Sequence, residues 1–184
     1  MQATQILMEE HRLIGRVIAS LEVEADRLEA SPATRAEFFI QAADFIKDFA
    51  DGCHHRKEEG ILFPAMEEAG VLREGGPIGV MLADHEEGRR LARAMRSAAE
   101  ALQAGDANTR AQVRRNALGY AALMRQHIAI EDSTLFPMAD RVIPPAKQAE
   151  IAEAFERVER EEIGEGVHEK YRRLAEGLER EANA

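Results

Sequence analysis

Two short segments of the chain place a histidine and a glutamate at a spacing that suits metal binding. His54 precedes Glu58 by four positions, and His127 precedes Glu131 by the same distance. Residues four positions apart on a helix share one face, about one turn apart. In both segments the tripeptide Leu-Phe-Pro begins four residues after the glutamate. The sequence therefore contains two copies of a turn that could supply an imidazole and a carboxylate to a metal ion.

A further histidine precedes each of these turns at nearly the same interval. His11 lies 43 residues before His54, and His85 lies 42 residues before His127. The flanks of His11 (LMEEHR) also resemble the flanks of His85 (MLADHE). We infer an internal repeat, in which each half is a helical hairpin. A lone histidine lies on its first helix and His-x-x-x-Glu lies on its second.

The elements that must position these residues are helices. Ala, Glu, Leu and Arg dominate, and apolar residues recur with the helical period, whereas strand signals are nearly absent. Four long helices with short connections favour an all-α, antiparallel up-down-up-down bundle. The predicted bundle helices cover about residues 3–30, 32–63, 78–104 and 108–135, and two additional C-terminal helices cover about 146–162 and 167–180.

Prolines mark several of the predicted helix boundaries. Ser31 and Pro32 favour a helix start, with Ser31 as the N-cap and Pro32 as the first helical residue. We expect the second and fourth helices to end near Pro64 and Pro137, because proline disrupts a helix interior. A short helical piece at 65–68 would follow the second helix. The predicted divisions are a bundle at about 1–140, made of pseudo-repeats at about 1–70 and 75–140, and a helical extension at 141–184.

The depth of each histidine along its helix supports one common site. His11 lies about 20 residues before the end of the first helix, or about 30 Å at about 1.5 Å per residue. His54 lies about 22 residues after the start of the second helix. Antiparallel packing therefore puts both rings at one level, and the second half gives the same result for its two histidines.

These positions predict a dinuclear metal site. Four imidazoles and two carboxylates suit a pair of borderline ions such as iron or manganese. A carboxylate can bridge two metals whereas an imidazole usually serves one, so we expect two histidines per metal and two bridging glutamates. Open positions would remain for an oxo or hydroxo group, O2, peroxide or nitric oxide. The predicted ligands are His11, His54, Glu58, His85, His127 and Glu131.

The six positions and their spacing resemble the hemerythrin-like, or HHE cation-binding, domain over about residues 1–140. The resemblance implies a four-helix bundle with two iron ions joined by an oxo or hydroxo group, for which manganese or zinc could substitute. It also implies that the four histidines are terminal ligands and that Glu58 and Glu131 are bridges.

Within this family, the chain differs from the invertebrate oxygen carriers. Those proteins have a second histidine on the third helix, whereas Met81 and Arg89 lie one turn either side of His85 here. Their last carboxylate is an aspartate at the spacing of Asp132, but the internal repeat favours Glu131. Four histidines and two glutamates are more similar to bacterial proteins associated with iron-centre repair and nitrosative stress.

Composition excludes several other classes of protein. The net charge is −10, which disfavours nucleic acid and anionic membranes as partners. A single cysteine, Cys53, excludes a disulfide framework and a cysteine-rich metal site. No apolar run reaches the roughly 18 residues of a spanning helix, and the N-terminus lacks the features of a secretory signal. We expect a cytoplasmic protein, with the C-terminal helices packed on the bundle or forming a homodimer interface.

Three classes of function fit this site. The protein could bind or sense O2, NO or related oxidants, or handle iron. It could be a di-iron enzyme of oxidative or nitrosative stress that turns over peroxide or NO, or that repairs iron centres. It could also be an interaction bundle whose metal stabilises the fold. We favour binding, because the sequence shows no separate general acid or base.

Three further residues could lie near the site. His55 is expected off the metal face, Tyr120 could contact a ligand, and His168 could cap the site.

Overall fold

The computed structural model describes residues 2–30, 35–163 and 166–184. In these ranges the chain forms helices and no strand, as predicted. Three of the helices combine regular α-helical segments with π-helical turns. The regular segments are Ala36–Phe45 and Phe63–Glu68 in α2, Arg110–Ile130 and Phe136–Val142 in α4, and Pro145–Val158 in α5. A 3-10 helix covers Ala107–Thr109. The longer helices of the described ranges are α1 (Ala3–Ala30), α2 (36–68), α3 (Pro77–Gln103), α4 (110–142), α5 (145–163) and α6 (Val167–Ala182).

Helices α1 to α4 form the antiparallel bundle that the sequence predicted. The start of α1 meets the end of α4, where the Thr4 hydroxyl donates a 2.9 Å hydrogen bond to Asp140. The end of α1 meets the start of α4, where Arg110 donates to the Leu28 carbonyl at 3.2 Å. Helices α2 and α3 pair in the same opposed order. The four helices therefore alternate in direction, up-down-up-down, around the bundle.

The predicted ends of α2 and α4 at their prolines are wrong, because both helices continue through Pro64 and Pro137. A π-helical segment precedes each proline, Glu58–Leu62 in α2 and Glu131–Leu135 in α4. Proline has no N–H to donate to the carbonyl four residues earlier, and its ring clashes with that carbonyl in a regular α-helix. The wider π turn does not require this hydrogen bond and relieves the clash. The predicted start at Ser31 and Pro32 lies outside the described residues.

Two apolar clusters fill the bundle. One contains aromatic and aliphatic residues of α1 to α4 such as Leu21, Phe45 and Met95, and the other contains Leu7, Phe63 and further residues near the ends of α2 and α4. The predicted ligands lie at sequence positions between these clusters on each helix. The polar site is therefore flanked by hydrophobic core on both sides along the bundle.

The C-terminal helices pack on the bundle. Helices α1 and α2 make little direct contact, and α6 packs against both of them. The buried Tyr171 of α6 donates a 2.6 Å hydrogen bond to Asp48 of α2, and Phe155 of α5 is fully buried among residues of the bundle. In the described part of the chain, no helix combines the length and the apolar character needed to cross a membrane.

Candidate metal centre

The bundle brings all six predicted ligands together in its interior. Each of their side chains is almost completely buried, with at most 3% exposed. Every helix of the bundle contributes, α1 and α3 with one residue each and α2 and α4 with two each. We call these residues the central cluster: His11, His54, Glu58, His85, His127 and Glu131.

The four histidines of the central cluster lie in two pairs, one from each half of the repeat. The ring centroids of His11 and His54 are 4.6 Å apart. The Nε2 atoms of His85 and His127 are 3.1 Å apart. Each half of the repeat therefore supplies one pair of imidazoles, in agreement with the common depth calculated from the sequence.

The two glutamates of the central cluster lie between these pairs. One carboxylate oxygen of Glu58 is 3.4 Å from Nε2 of His54, and the other is 3.4 Å from Nε2 of His85. Oε2 of Glu131 is 3.2 Å from Nε2 of each remaining histidine. Each carboxylate therefore reaches both histidine pairs, which is the geometry that a bridging ligand requires.

Most donor atoms of the central cluster have no hydrogen-bond partner among the described residues. These atoms include both carboxylate oxygens of Glu58 and Glu131, and Nε2 of His11 and His54. Buried polar atoms without partners are costly, and buried carboxylates especially so. Imidazole nitrogens and carboxylate oxygens are suitable ligands for iron, manganese or zinc. The residues present therefore fit a metal centre.

The candidate donors fall into two groups that share Glu58. Within each group, one donor atom per residue lies within 4.8 Å of the others. A shared carboxylate between two groups is what a pair of neighbouring ions would need. The groups are His11, His54, Glu58 and Glu131, and His55, Glu58, His85 and His127.

A second set of carboxylates contacts the outer nitrogens of the four central-cluster histidines. Three of these histidines donate through Nδ1 at 2.6 to 2.9 Å, and the fourth lies 3.5 Å from its carboxylate. Donation through Nδ1 leaves the lone pair of Nε2 free to face a metal ion. The pairs are His11 with Asp132, His54 with Glu10, His85 with Glu59, and His127 with Asp84.

These outer carboxylates follow the internal repeat. Glu10 and Asp84 each precede a lone histidine in the sequence, and Glu59 and Asp132 each follow a central-cluster glutamate. No role for Glu10 or Asp84 was predicted from the sequence. The signal that could have identified them is the acid directly before the lone histidine in both halves.

The pKa values of the central cluster reflect close contact between buried charges. Burial and the charge of Glu131 raise the pKa of Glu58 well above its ordinary range. Burial opposes ionisation of Glu131 too, but the neighbouring His11 and His127 lower its pKa. Burial likewise opposes the charge of His11, yet the carboxylates of Asp132 and Glu131 raise its pKa to about 9. In the absence of a cation, His11 therefore holds a proton at neutral pH.

His55 lies closer to the central cluster than the sequence suggested. The segment Ile46–His55 is π-helical, and the wider turn brings His54 and His55 both to the buried side of α2. The ring of His55 stacks on His85 with centroids 3.8 Å apart. Burial and the charge of His85 lower the pKa of His55 to about 4. His55 is thus a neutral imidazole at the edge of the site.

Tyr120 and Cys53 are both buried near the site. The Tyr120 hydroxyl has no hydrogen-bond partner among the described residues, and burial raises the pKa of this phenol. The Cys53 thiol donates to the Asp48 carbonyl at 3.3 Å, and burial raises its pKa to about 12. Cys53 is therefore a packed thiol, whereas Tyr120 presents an unused donor.

A buried lysine links the C-terminal extension to the site. Lys57 is completely buried and pairs with Glu10 of α1 and Glu159 of α5. Nε2 of His168, on α6, lies 3.2 Å from Glu159 and 3.5 Å from Glu10. His168 therefore belongs to this Lys57 network and does not cap the central cluster. Glu10 is also the partner of a central-cluster histidine, so the network lies one contact away from the candidate metal ligands.

Comparisons with known proteins agree with this architecture. Residues 2–139 match the family model described as the hemerythrin HHE cation binding domain. Uncharacterized proteins from Mycobacterium bovis and from two strains of Mycobacterium tuberculosis are each 29% identical over 163 residues. The aligned region covers 89% of this chain but only 63% of the length of each relative. Comparison with the solved structures found no match.

The fold and the site together define a helical-bundle protein with a buried cluster of histidines and glutamates that could hold metal. The chain belongs to the hemerythrin HHE cation-binding domain family. The predicted family and fold class are thereby confirmed, and metal binding follows from them.

Proposed function

We propose that this protein is a non-haem di-iron protein that reversibly binds O2, NO or a related small oxidant. One observation carries the proposal: two groups of buried donors share Glu58, and most of their atoms lack any other partner. A single ion would leave one group uncompensated, whereas two ions would give each group a partner. Iron suits a ligand set of imidazoles and carboxylates.

When bound, the iron pair would supply redox activity and open coordination positions to a small ligand. The chain would supply orientation. Glu58 and Glu131 would join the two ions, and the imidazoles would act as terminal ligands. The outer carboxylates would keep each imidazole directed at the centre, while the apolar clusters on both sides would limit access of water.

The state of Tyr120 favours binding over turnover. Burial raises the pKa of its hydroxyl, so the phenol remains protonated over the physiological range. A group of this kind donates a hydrogen bond to a bound ligand without readily giving up its proton. Tyr120 therefore suits stabilisation of a bound ligand.

A second candidate function, peroxide or NO turnover, is favoured by His55. This buried imidazole is neutral at pH 7, because burial and the charge of His85 lower its pKa to about 4. A neutral imidazole beside a metal centre can donate a hydrogen bond from one ring nitrogen and accept one at the other, so it could orient a bound substrate. His55 would then position the substrate at the metal centre.

Anaerobic loading with iron, followed by optical spectra with O2, NO and hydrogen peroxide, separates these candidates. Reversible binding predicts a stable band that disappears when the gas is removed. Rapid and repeated consumption of peroxide or NO, lost in His55→Ala, would instead support the enzyme. No spectral change with any of the three ligands would contradict both.

A further inference from the structure

A cavity of about 310 Å³ lies between α2 and α3, beside the central cluster. Its lining includes the exposed Lys47 and Arg93 as well as the buried His55 and Tyr120. Because the His55 ring stacks directly on His85, the wall of the cavity is one ring away from a candidate metal ligand. We call this space the α2–α3 cavity.

The lining of the α2–α3 cavity is net positive, in contrast with the acidic protein as a whole, because it contains one carboxylate, Asp51, and four cations, Lys47, Arg89, Arg93 and Arg96. Arg89 and Arg96 in its lining are already paired with carboxylates, Arg89 with Asp51 among others. No described carboxylate pairs with Lys47 or Arg93. Two uncompensated cations at the exposed end of a cavity attract anions and raise their local concentration.

The inner wall supplies a hydrogen-bond donor without a partner. The Tyr120 side chain is 1% exposed and lines the cavity, and its hydroxyl has no partner among the described residues. Gly88 keeps the space beside this ring open, because a Cβ at Gly88 would lie 3.2 Å from Met124 and 3.7 Å from Tyr120. The buried hydroxyl is thus available to a ligand that reaches the end of the cavity.

We propose that the α2–α3 cavity admits a small monovalent anion to the metal centre. Lys47 and Arg93 attract the anion at the surface, and Tyr120 donates a hydrogen bond to it at the inner end. A single charge fits the inner wall, because Tyr120 and His55 are both neutral there and no unpaired cation lies beside them. This inference rests on the proposed function, since it requires a loaded metal centre beside His55.

The test measures azide binding to the iron-loaded protein by stopped-flow absorbance at low and high ionic strength. The double variant Lys47→Gln/Arg93→Gln removes both unpaired cations. The matched control, Arg90→Gln/Arg173→Gln, removes two exposed arginines that do not line the cavity. Nitric oxide serves as the uncharged ligand, and metal content is measured for every variant.

We expect the cavity variant to slow azide association about tenfold at low ionic strength, with a smaller difference at high salt. The control variant and nitric oxide association should change less than about twofold. Tyr120→Phe should leave azide association unchanged and raise its dissociation rate about threefold to tenfold, because one hydrogen bond is lost.

Equal azide association rates in the cavity variant and its control would overturn the access route. An unchanged dissociation rate in Tyr120→Phe would overturn the contact with the hydroxyl. In both cases, continued binding of azide and nitric oxide would leave the proposed function intact. Failure of the iron-loaded wild type to bind either ligand would instead contradict the proposed function itself.

Discussion

Glu58 is fully buried with both carboxylate oxygens lacking a hydrogen-bond partner among the described residues. An isolated buried carboxylate costs several kcal/mol, and such groups become protonated unless a cation compensates them. The raised pKa of Glu58 expresses this cost. A second buried carboxylate, Glu131, lies in the same cluster. At the residue scale, burial of these two carboxylates without a metal ion would therefore destabilise the bundle by a large and uncompensated free energy.

Metal uptake should release protons. The pKa of His11 is raised to about 9, so His11 is protonated in the metal-free protein at pH 7, and burial raises the pKa of Glu58 as well. A cation must displace the proton of His11, and we predict release of at least about one proton per chain. Calorimetric titration with metal in two buffers of different ionisation enthalpy measures this number.

The same pKa shift of His11 determines how the stability of the metal-free fold depends on pH. Because its folded pKa lies above the unfolded value of 6.5, His11 stabilises the metal-free fold fully below pH 6.5. This contribution is lost as the pH rises through about 9. Over the same pH range His11 loses the proton that a cation must displace, so metal affinity should increase. Release of fewer than one proton at pH 7, or an affinity independent of pH, would contradict this assignment.

The outer carboxylate Asp132 should tune metal affinity without being a ligand. Its carboxylate is 2.7 Å from Nδ1 of His11. We predict that Asp132→Asn weakens metal binding about 10-fold to 100-fold, because it loses the charge that orients and polarises the imidazole. Competition with a chelator measures the affinity. Asp26→Asn, an exposed carboxylate paired with Arg114, is the matched control and should change affinity less than about twofold.

At the scale of helices, the π-helical segments explain features that residue spacing alone did not. Glu58–Leu62 and Glu131–Leu135 each begin at a central-cluster glutamate and lead into a proline. The repeated Leu-Phe-Pro therefore marks a wide turn within a continuous helix. A third π-helical segment, Ile46–His55, turns His55 inward as well.

These segments show which parts of the fold and the site were predictable from the sequence. The bundle and the convergence of the six candidate ligands could be predicted, because helical periodicity and hairpin geometry depend on local spacing. The inward position of His55 could not, since it depends on a π turn that few sequence signals specify. The contact of Lys57 with Glu159 could not either, because it joins helices that are distant in sequence.

Lys57 should be more important for stability than its partner Glu159. Lys57→Met would leave the buried Glu10 without its cation and should destabilise the fold by about 3–5 kcal/mol. Glu159 is about one-third exposed. In Glu159→Gln the ion pair of Lys57 with Glu10 would remain, so we expect the unfolding free energy to fall by about 1 kcal/mol or less. Urea unfolding of both variants measures the difference. Equal losses would show that the network does not depend on the Lys57–Glu10 pair.

At the scale of the whole molecule, the C-terminal extension and the bundle share their core. Phe155 of α5 is fully buried in a cluster with Leu62, Phe63 and Phe136, next to the candidate metal centre. We predict that Phe155→Ala costs about 3–5 kcal/mol of unfolding free energy, because a large buried ring is removed from a packed site. Chemical denaturation of the wild type and the variant measures this loss.

Val142→Ala provides the control for this prediction, since Val142 is exposed to 37% and should tolerate truncation. A loss below about 1 kcal/mol in Phe155→Ala would indicate that the extension packs loosely and contributes little to the site. Homodimer formation through the C-terminal helices stays a prediction. The apolar residues Tyr171 and Leu178 of α6 are already buried within one chain.

The central claim is that one chain holds two metal ions between its two histidine pairs. Its most direct test is the number of iron atoms per chain after anaerobic loading and removal of loose metal, measured for the wild type and for Glu58→Ala. We predict two irons per wild-type chain and one or fewer in Glu58→Ala, because Glu58 is the residue that both donor groups share. One iron or none in the wild type, or an unchanged count in the variant, would contradict the dinuclear site.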